Sequence, residues 1–227
     1  MSEQLRRIQF VTTYYSWLQG LRFIPLGLLG LGLAVWMSLF PQEPVQPKTH
    51  RPEVLLVVLG GLALSGSLYA VLGAYYRRRF GVVQATPLTR QRMVRAIVVS
   101  LVIGLALGAL ARLSRLGPGP SKGVLFVTLL LCGLGIIWYW HWTGRVVHHY
   151  LPVAAGFVGL SLLELLGANP VCALLQRLPF TTDSRCAGVT LCSAWGLSVI
   201  VLGVLDHRLL VRTLGTPPES EPEEVPR

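Results

Sequence analysis

The sequence predicts an all-α integral membrane protein: a polytopic bundle of about six transmembrane helices, N-in/C-in, with an amphipathic interfacial helix at its N-terminus. Three observations predict it. Hydrophobic residues make up 52% of the chain and charged residues only 13%, about half the ~25% of an ordinary globular protein. The charges avoid long stretches instead of recurring on every helix face. Six of those stretches approach or reach the roughly 17–25 residues that a helix needs to cross a hydrocarbon core of ~30 Å.

The elements follow in order. Residues 1–22 form a cytoplasmic, interfacial segment. Within it Leu5, Ile8, Val11, Tyr15 and Leu18 recur on one helical face, and Arg6, Gln9, Thr13 and Ser16 on another. Residues 23–207 form the transmembrane domain, with spans at about 23–40, 54–76, 96–111, 124–142, 151–168 and 189–205. The first is too long for a secretory h-region and ends in "SLFPQEP", without a small-x-small cleavage pattern, so it reads as an uncleaved span. The second carries no charge. The third is short, with Arg112 snorkelling at its end. Residues 208–227 hold "TPPESEPEEVPR", whose composition predicts a disordered cytoplasmic tail.

Orientation follows from the distribution of Lys and Arg. With the N-terminus inside, the inner segments carry thirteen basic residues and the outer segments seven. Six of the thirteen are Arg77, Arg78, Arg79, Arg90, Arg92 and Arg95. This expectation places the protein in the plasma (cytoplasmic) membrane with both termini cytoplasmic. The net charge of +10 therefore does not indicate nucleic acid, whose binders present their charge on a solvated surface. The arginine segment instead reads as an orientation signal, and as a docking surface for anionic lipid headgroups or a cytoplasmic protein.

Small residues carry helix packing in lipid. Two stripes at four-residue spacing are candidates: Gly66, Ala70 and Ala74 on the second span, and Ser100, Gly104 and Gly108 on the third.

Glu164, in "SLLELLGA", is the one acidic residue well inside a predicted span. It either snorkels outward, pairs with Arg177 or Arg185, or faces the bundle interior as a cation or proton site. His141, His148 and His149 cluster in "WYWHWTGRVVHHY", and His207 falls at the same predicted end. Imidazoles from separate helices ligate metal or haem; an interfacial belt with Trp138, Tyr139, Trp140 and Trp142 is the plainer reading. Cys172 and Cys186 share the last outer loop, where an oxidising compartment permits a disulfide. "NPVCALL" begins like a helix, with Asn169 as N-cap and Pro170 at N1.

The chain has no P-loop, GxSxG or HExxH motif and no dinucleotide-binding fingerprint. In outline, and by no residue motif, a short six-span chain of this orientation resembles the membrane half of ATP-driven export systems. That outline implies a cytoplasmic ATPase or other protein subunit as partner. The functional expectation is a permease-like or accessory subunit of a transport or envelope complex. The alternatives are a membrane enzyme or redox protein using the histidines, and a structural or regulatory bundle.

Overall fold

The computed structural model describes residues 13–15, 18–39, 52–80, 122–142, 147–177 and 183–214, with the single positions 91, 94, 95 and 98. All regular structure among them is helical. A 3₁₀ turn at Gly20–Phe23 leads into α1 (Ile24–Leu39); α2 is Pro52–Phe80, α3 Lys122–Trp142, α4 Tyr150–Leu165, α5 Pro170–Leu175 and α6 Asp183–Leu214.

Four stretches are long and apolar enough to cross a membrane: Gly20–Leu39, Leu56–Phe80, Gly123–His141 and Cys186–Leu214. They correspond to the first, second, fourth and sixth predicted spans. The fifth is shorter than predicted. α4 has 16 residues, about 24 Å at 1.5 Å per residue, because the chain turns at Gly167, where φ is +70°. There Gly167 N–H donates to Glu164 O and Ala168 N–H to Leu163 O, the paired bonds of a Schellman stop, which favours glycine at this position. The third predicted span, 96–111, and the small stripe on it lie outside the described residues, apart from the helical, exposed Val98. α6 runs past the predicted boundary at 205 to Leu214, since Leu209, Leu210 and Leu214 continue its packed face.

Lipid offers helices no hydrophobic drive to associate, so close approach decides the pairing. α1 and α6 run antiparallel along a glycine seam. Gly27 faces Gly196, and Gly20 faces Gly203; a Cβ on Gly196 would sit 2.6 Å from Gly27 O, and one on Gly203 2.6 Å from Gly20 O. Seven residues separate the two glycines on each strand of the seam, and that spacing returns nearly the same helix face every two turns. α3 and α4 form the second close pair, where Gly133 abuts Ala154 and Val158.

α2 meets α1 through Gly61 against Leu29 and through Ser65, whose hydroxyl donates to Pro25 O at 3.2 Å. The predicted stripe on α2 does not make this contact. Gly66 and Ala70 are exposed, because the Gly61/Ser65 face is turned to α1.

The bundle has two unlike ends. At one, Tyr15, Leu18, Tyr76, Val147, Tyr150 and Leu210 form a buried cluster flanked by Phe80, Tyr139 and Trp140. Tyr15 and Leu18 belong to the predicted amphipathic face, and both are buried against the bundle. At the other end, Ala34, Leu175 and Val189 pack under α5. Leu125, Leu129 and Phe157 fill the α3–α4 interface between the ends.

Candidate functional site

The aromatic end holds the densest polar arrangement. Neighbouring residues on a helix point about 100° apart, so Asp206 and His207 reach different elements from α6. Asp206 meets the start of α4: its Oδ1 lies 2.7 Å from His149 Nε2, and the Tyr150 hydroxyl donates to its two oxygens at 3.1 and 3.0 Å. Asp206 is buried and Tyr150 is buried beside it. The ring of Tyr139 meets Tyr150 edge-on with centroids 5.4 Å apart. A carboxyl out of water needs such partners, and here it has three bonds from two side chains.

His207 turns to α2, with its Nδ1 2.7 Å from the Tyr76 hydroxyl. Tyr76 is fully buried. Its hydroxyl also accepts from Leu21 N–H at 3.4 Å, and its carbonyl accepts from the Tyr15 hydroxyl at 3.3 Å. Burial pushes the Tyr15 hydroxyl's pKa up, opposed by the Gln19 hydrogen bond and the Arg22 charge, so Tyr15 stays a donor. One side chain therefore ties the N-terminal segment, α2 and α6 together. Arg77, Arg78 and Arg79 follow it directly, exposed on the last turn of α2, where cations complement the helix dipole. Arg95 is helical and exposed, and Arg90 and Arg92 lie outside the described residues.

Arg22 sits nearby. Its guanidinium lies 4.0 Å from the centroid of the Tyr69 ring and donates to Gln19 Oε1 at 2.7 Å. Gly73 leaves the space it occupies, since a Cβ there would be 2.8 Å from its terminal nitrogen.

The four histidines singled out in the sequence are not brought to one point. His149 joins Asp206 and His207 joins Tyr76, while His141 and His148 are exposed, His148 beside the Trp140 ring. Among the described residues no three His, Cys, Asp or Glu side chains gather to hold a metal ion.

Glu164 stands at the opposite end and is 8% exposed. Its partner is neither Arg177, which is exposed, nor, among the described side chains, any other cation; it is Asn169, whose Nδ2 donates to Oε2 at 2.7 Å. The same amide reaches Thr190 Oγ1 at 3.2 Å, and Asn169 Oδ1 caps α5 by accepting from Val171 N and Cys172 N. Cys172 and Cys186 are joined in a disulfide with Cα atoms 5.2 Å apart, fastening α5 to α6.

Asp206, Tyr150 and Thr190 were not among the candidate site residues that sequence patterns single out. The usable signal was "VLDHRLL", an acid and an imidazole side by side in an otherwise apolar helix end. Compared with family models, curated proteins and solved structures, the chain matches none, so the reading of these sites rests on their own geometry.

Proposed function

We propose that this chain is a six-span, permease-like or accessory subunit of a transport or envelope complex in the cytoplasmic membrane. Its termini and arginine segment are cytoplasmic, and Arg77, Arg78 and Arg79 dock a cytoplasmic subunit of the ATPase class against a surface of anionic headgroups. The observation that carries this reading is the anchoring of Tyr76: the three exposed arginines extend from a helix end held by Tyr15, Leu21 and His207. Cations on a fixed support lose less freedom on binding than cations on a free loop.

The helix directions support the span count. α2 and α3 both finish in the aromatic cluster, and α3 is 21 residues long, about 31 Å at 1.5 Å per residue. α3 therefore begins at the end opposite to where α2 finishes, an arrangement that an additional crossing between them would account for. Arginine content supports the orientation.

The test is co-purification of the tagged full chain in mild detergent, with Arg77→Ala, Arg78→Ala and Arg79→Ala combined. A stoichiometric ATPase subunit retained by the parent and lost from the triple variant supports the proposal. A solitary parent protein, or a partner indifferent to the three changes, overturns it.

A further inference from the structure

At the disulfide end, one carboxyl group borders a cavity whose other lining groups are apolar or glycine. The turn at Gly167 ends α4, and Asn169 folds back to hold Glu164 Oε2. The cavity, of about 250 Å³, is lined by Gly123, Phe126, Glu164, Leu165, Leu166 and Gly167. Glu164 is 8% exposed as a residue, and among the described residues its Oε1 has no hydrogen-bond partner. A carboxyl oxygen left this way stands open to a donor, while the other oxygen of the same group is already held by Asn169.

The lining selects the chemistry of that donor. A metal ion needs several ligating side chains, and none gather here among the described residues. An anion would face the carboxyl. A single cationic donor attached to a compact apolar body satisfies both the oxygen and the Phe126, Leu165 and Leu166 walls, the aromatic ring adding a favourable face for the positive charge. We infer that this cavity binds a primary ammonium on a small apolar group, which donates to Glu164 Oε1. The volume is below that of most drug-sized pockets, roughly 300–1,000 Å³, so the enclosed part is small. A free organic amine and the amine headgroup of a phospholipid share this chemistry. Asn169 and Thr190 aim the carboxyl, and the Cys172–Cys186 bond holds the helices on which they stand.

The experiment uses the full chain in phosphatidylcholine nanodiscs, titrated with phenethylammonium chloride and read by saturation-transfer NMR. Saturable binding is expected, weakened at least about tenfold by Glu164→Gln, which keeps the shape and removes the charge. Gly123→Leu is the second variant. Gly123 lines the cavity and a Cβ there meets nothing within 4 Å, so a leucine is accommodated without touching the Glu164–Asn169 bond, and by narrowing the cavity it is expected to weaken binding by a similar factor. Neutral phenethyl alcohol is expected to bind at least about tenfold more weakly than the ammonium. In nanodiscs containing phosphatidylethanolamine, loss of the probe signal assigns the site to the lipid amine, and an unchanged signal assigns it to a free amine. Absence of saturable binding in phosphatidylcholine, equal binding of the alcohol, or affinity unmoved by both variants overturns the inference.

Discussion

The hydroxyl of the fully buried Tyr76 lies 2.7 Å from Nδ1 of the partly buried His207, joining residues 131 positions apart. Because the same hydroxyl accepts from Leu21 N–H, deleting it leaves two groups without a partner. Tyr76→Phe is expected to destabilise the protein by about 1–2 kcal/mol, the lower part of the cost of unsatisfied polar groups, because Leu21 and His207 are only partly buried. Tyr76→Ala, which also empties the centre of the aromatic cluster, is expected to cost about 3–5 kcal/mol. Thermal unfolding in detergent measures both, and a Phe variant as stable as the parent would remove Tyr76 from its proposed anchoring role.

Asp206 and His149 form a partly buried 2.7 Å contact that Tyr150 completes. Removing one member leaves the other desolvated, so Asp206→Ala is expected to cost about 2–3 kcal/mol, somewhat below a fully buried pair because His149 retains some exposure. In a double-mutant cycle of Asp206→Asn and His149→Gln, coupling of about 1–2 kcal/mol is expected. Additive effects would mean that the 2.7 Å contact contributes nothing to stability.

The glycine seam makes opposite forecasts for two glycines that look alike in the sequence. Gly196→Val would drive a branched side chain into Gly27 O, where even a Cβ would be 2.6 Å away, and α1 and α6 would have to separate. Gly66 is exposed on α2 and a Cβ there meets nothing. Gly196→Val is expected to abolish the folded monodisperse protein on size exclusion. Gly66→Leu is expected to elute as the parent does.

The disulfide closes a loop between residues 14 apart, which the chain-entropy model values at ~3 kcal/mol. Cys172→Ser with Cys186→Ser is expected to lower the unfolding temperature by roughly 6–12 °C, at about 2–4 °C per kcal/mol for a chain of this size. A reducing agent is expected to have the same effect on the parent and none on the double variant. Thiol mapping by mass spectrometry under non-reducing conditions identifies the bonded pair.

The spans were legible because hydrophobic length is a property of each segment alone: four long helices lie where the apolar runs place them. Helix pairing was not legible, since a packing seam depends on which helix arrives opposite. Gly66, Ala70 and Ala74 have a regular small-residue spacing yet the first two are exposed, while Gly20, Gly27, Gly196 and Gly203 gain meaning only as two facing pairs. The partners of the histidines were not legible for a related reason: α3 ends at Trp142 and His149 is the N-cap of α4, which turns it to Asp206. The Asn169 cap was legible because capping is local, whereas its second bond, to Glu164, required the Gly167 turn.

The two ends of the bundle also give a topology prediction that does not depend on any partner. Arg78 is exposed at the aromatic end, and Leu166, 76% exposed, lies at the disulfide end. Whatever the orientation, single reporter cysteines at these positions must face opposite compartments if α2 and α4 cross the membrane. The proposed orientation goes further. Arg78→Cys is expected to resist a membrane-impermeant maleimide in intact cells and react only after lysis, whereas Leu166→Cys reacts in intact cells. Replacing the free Cys132 and Cys192 by Ser removes background. The reverse pattern would invert the topology and move the arginine collar outside, taking with it any cytoplasmic docking role. Labelling of both reporters in intact cells would mean that the chain does not separate its two ends across the bilayer at all.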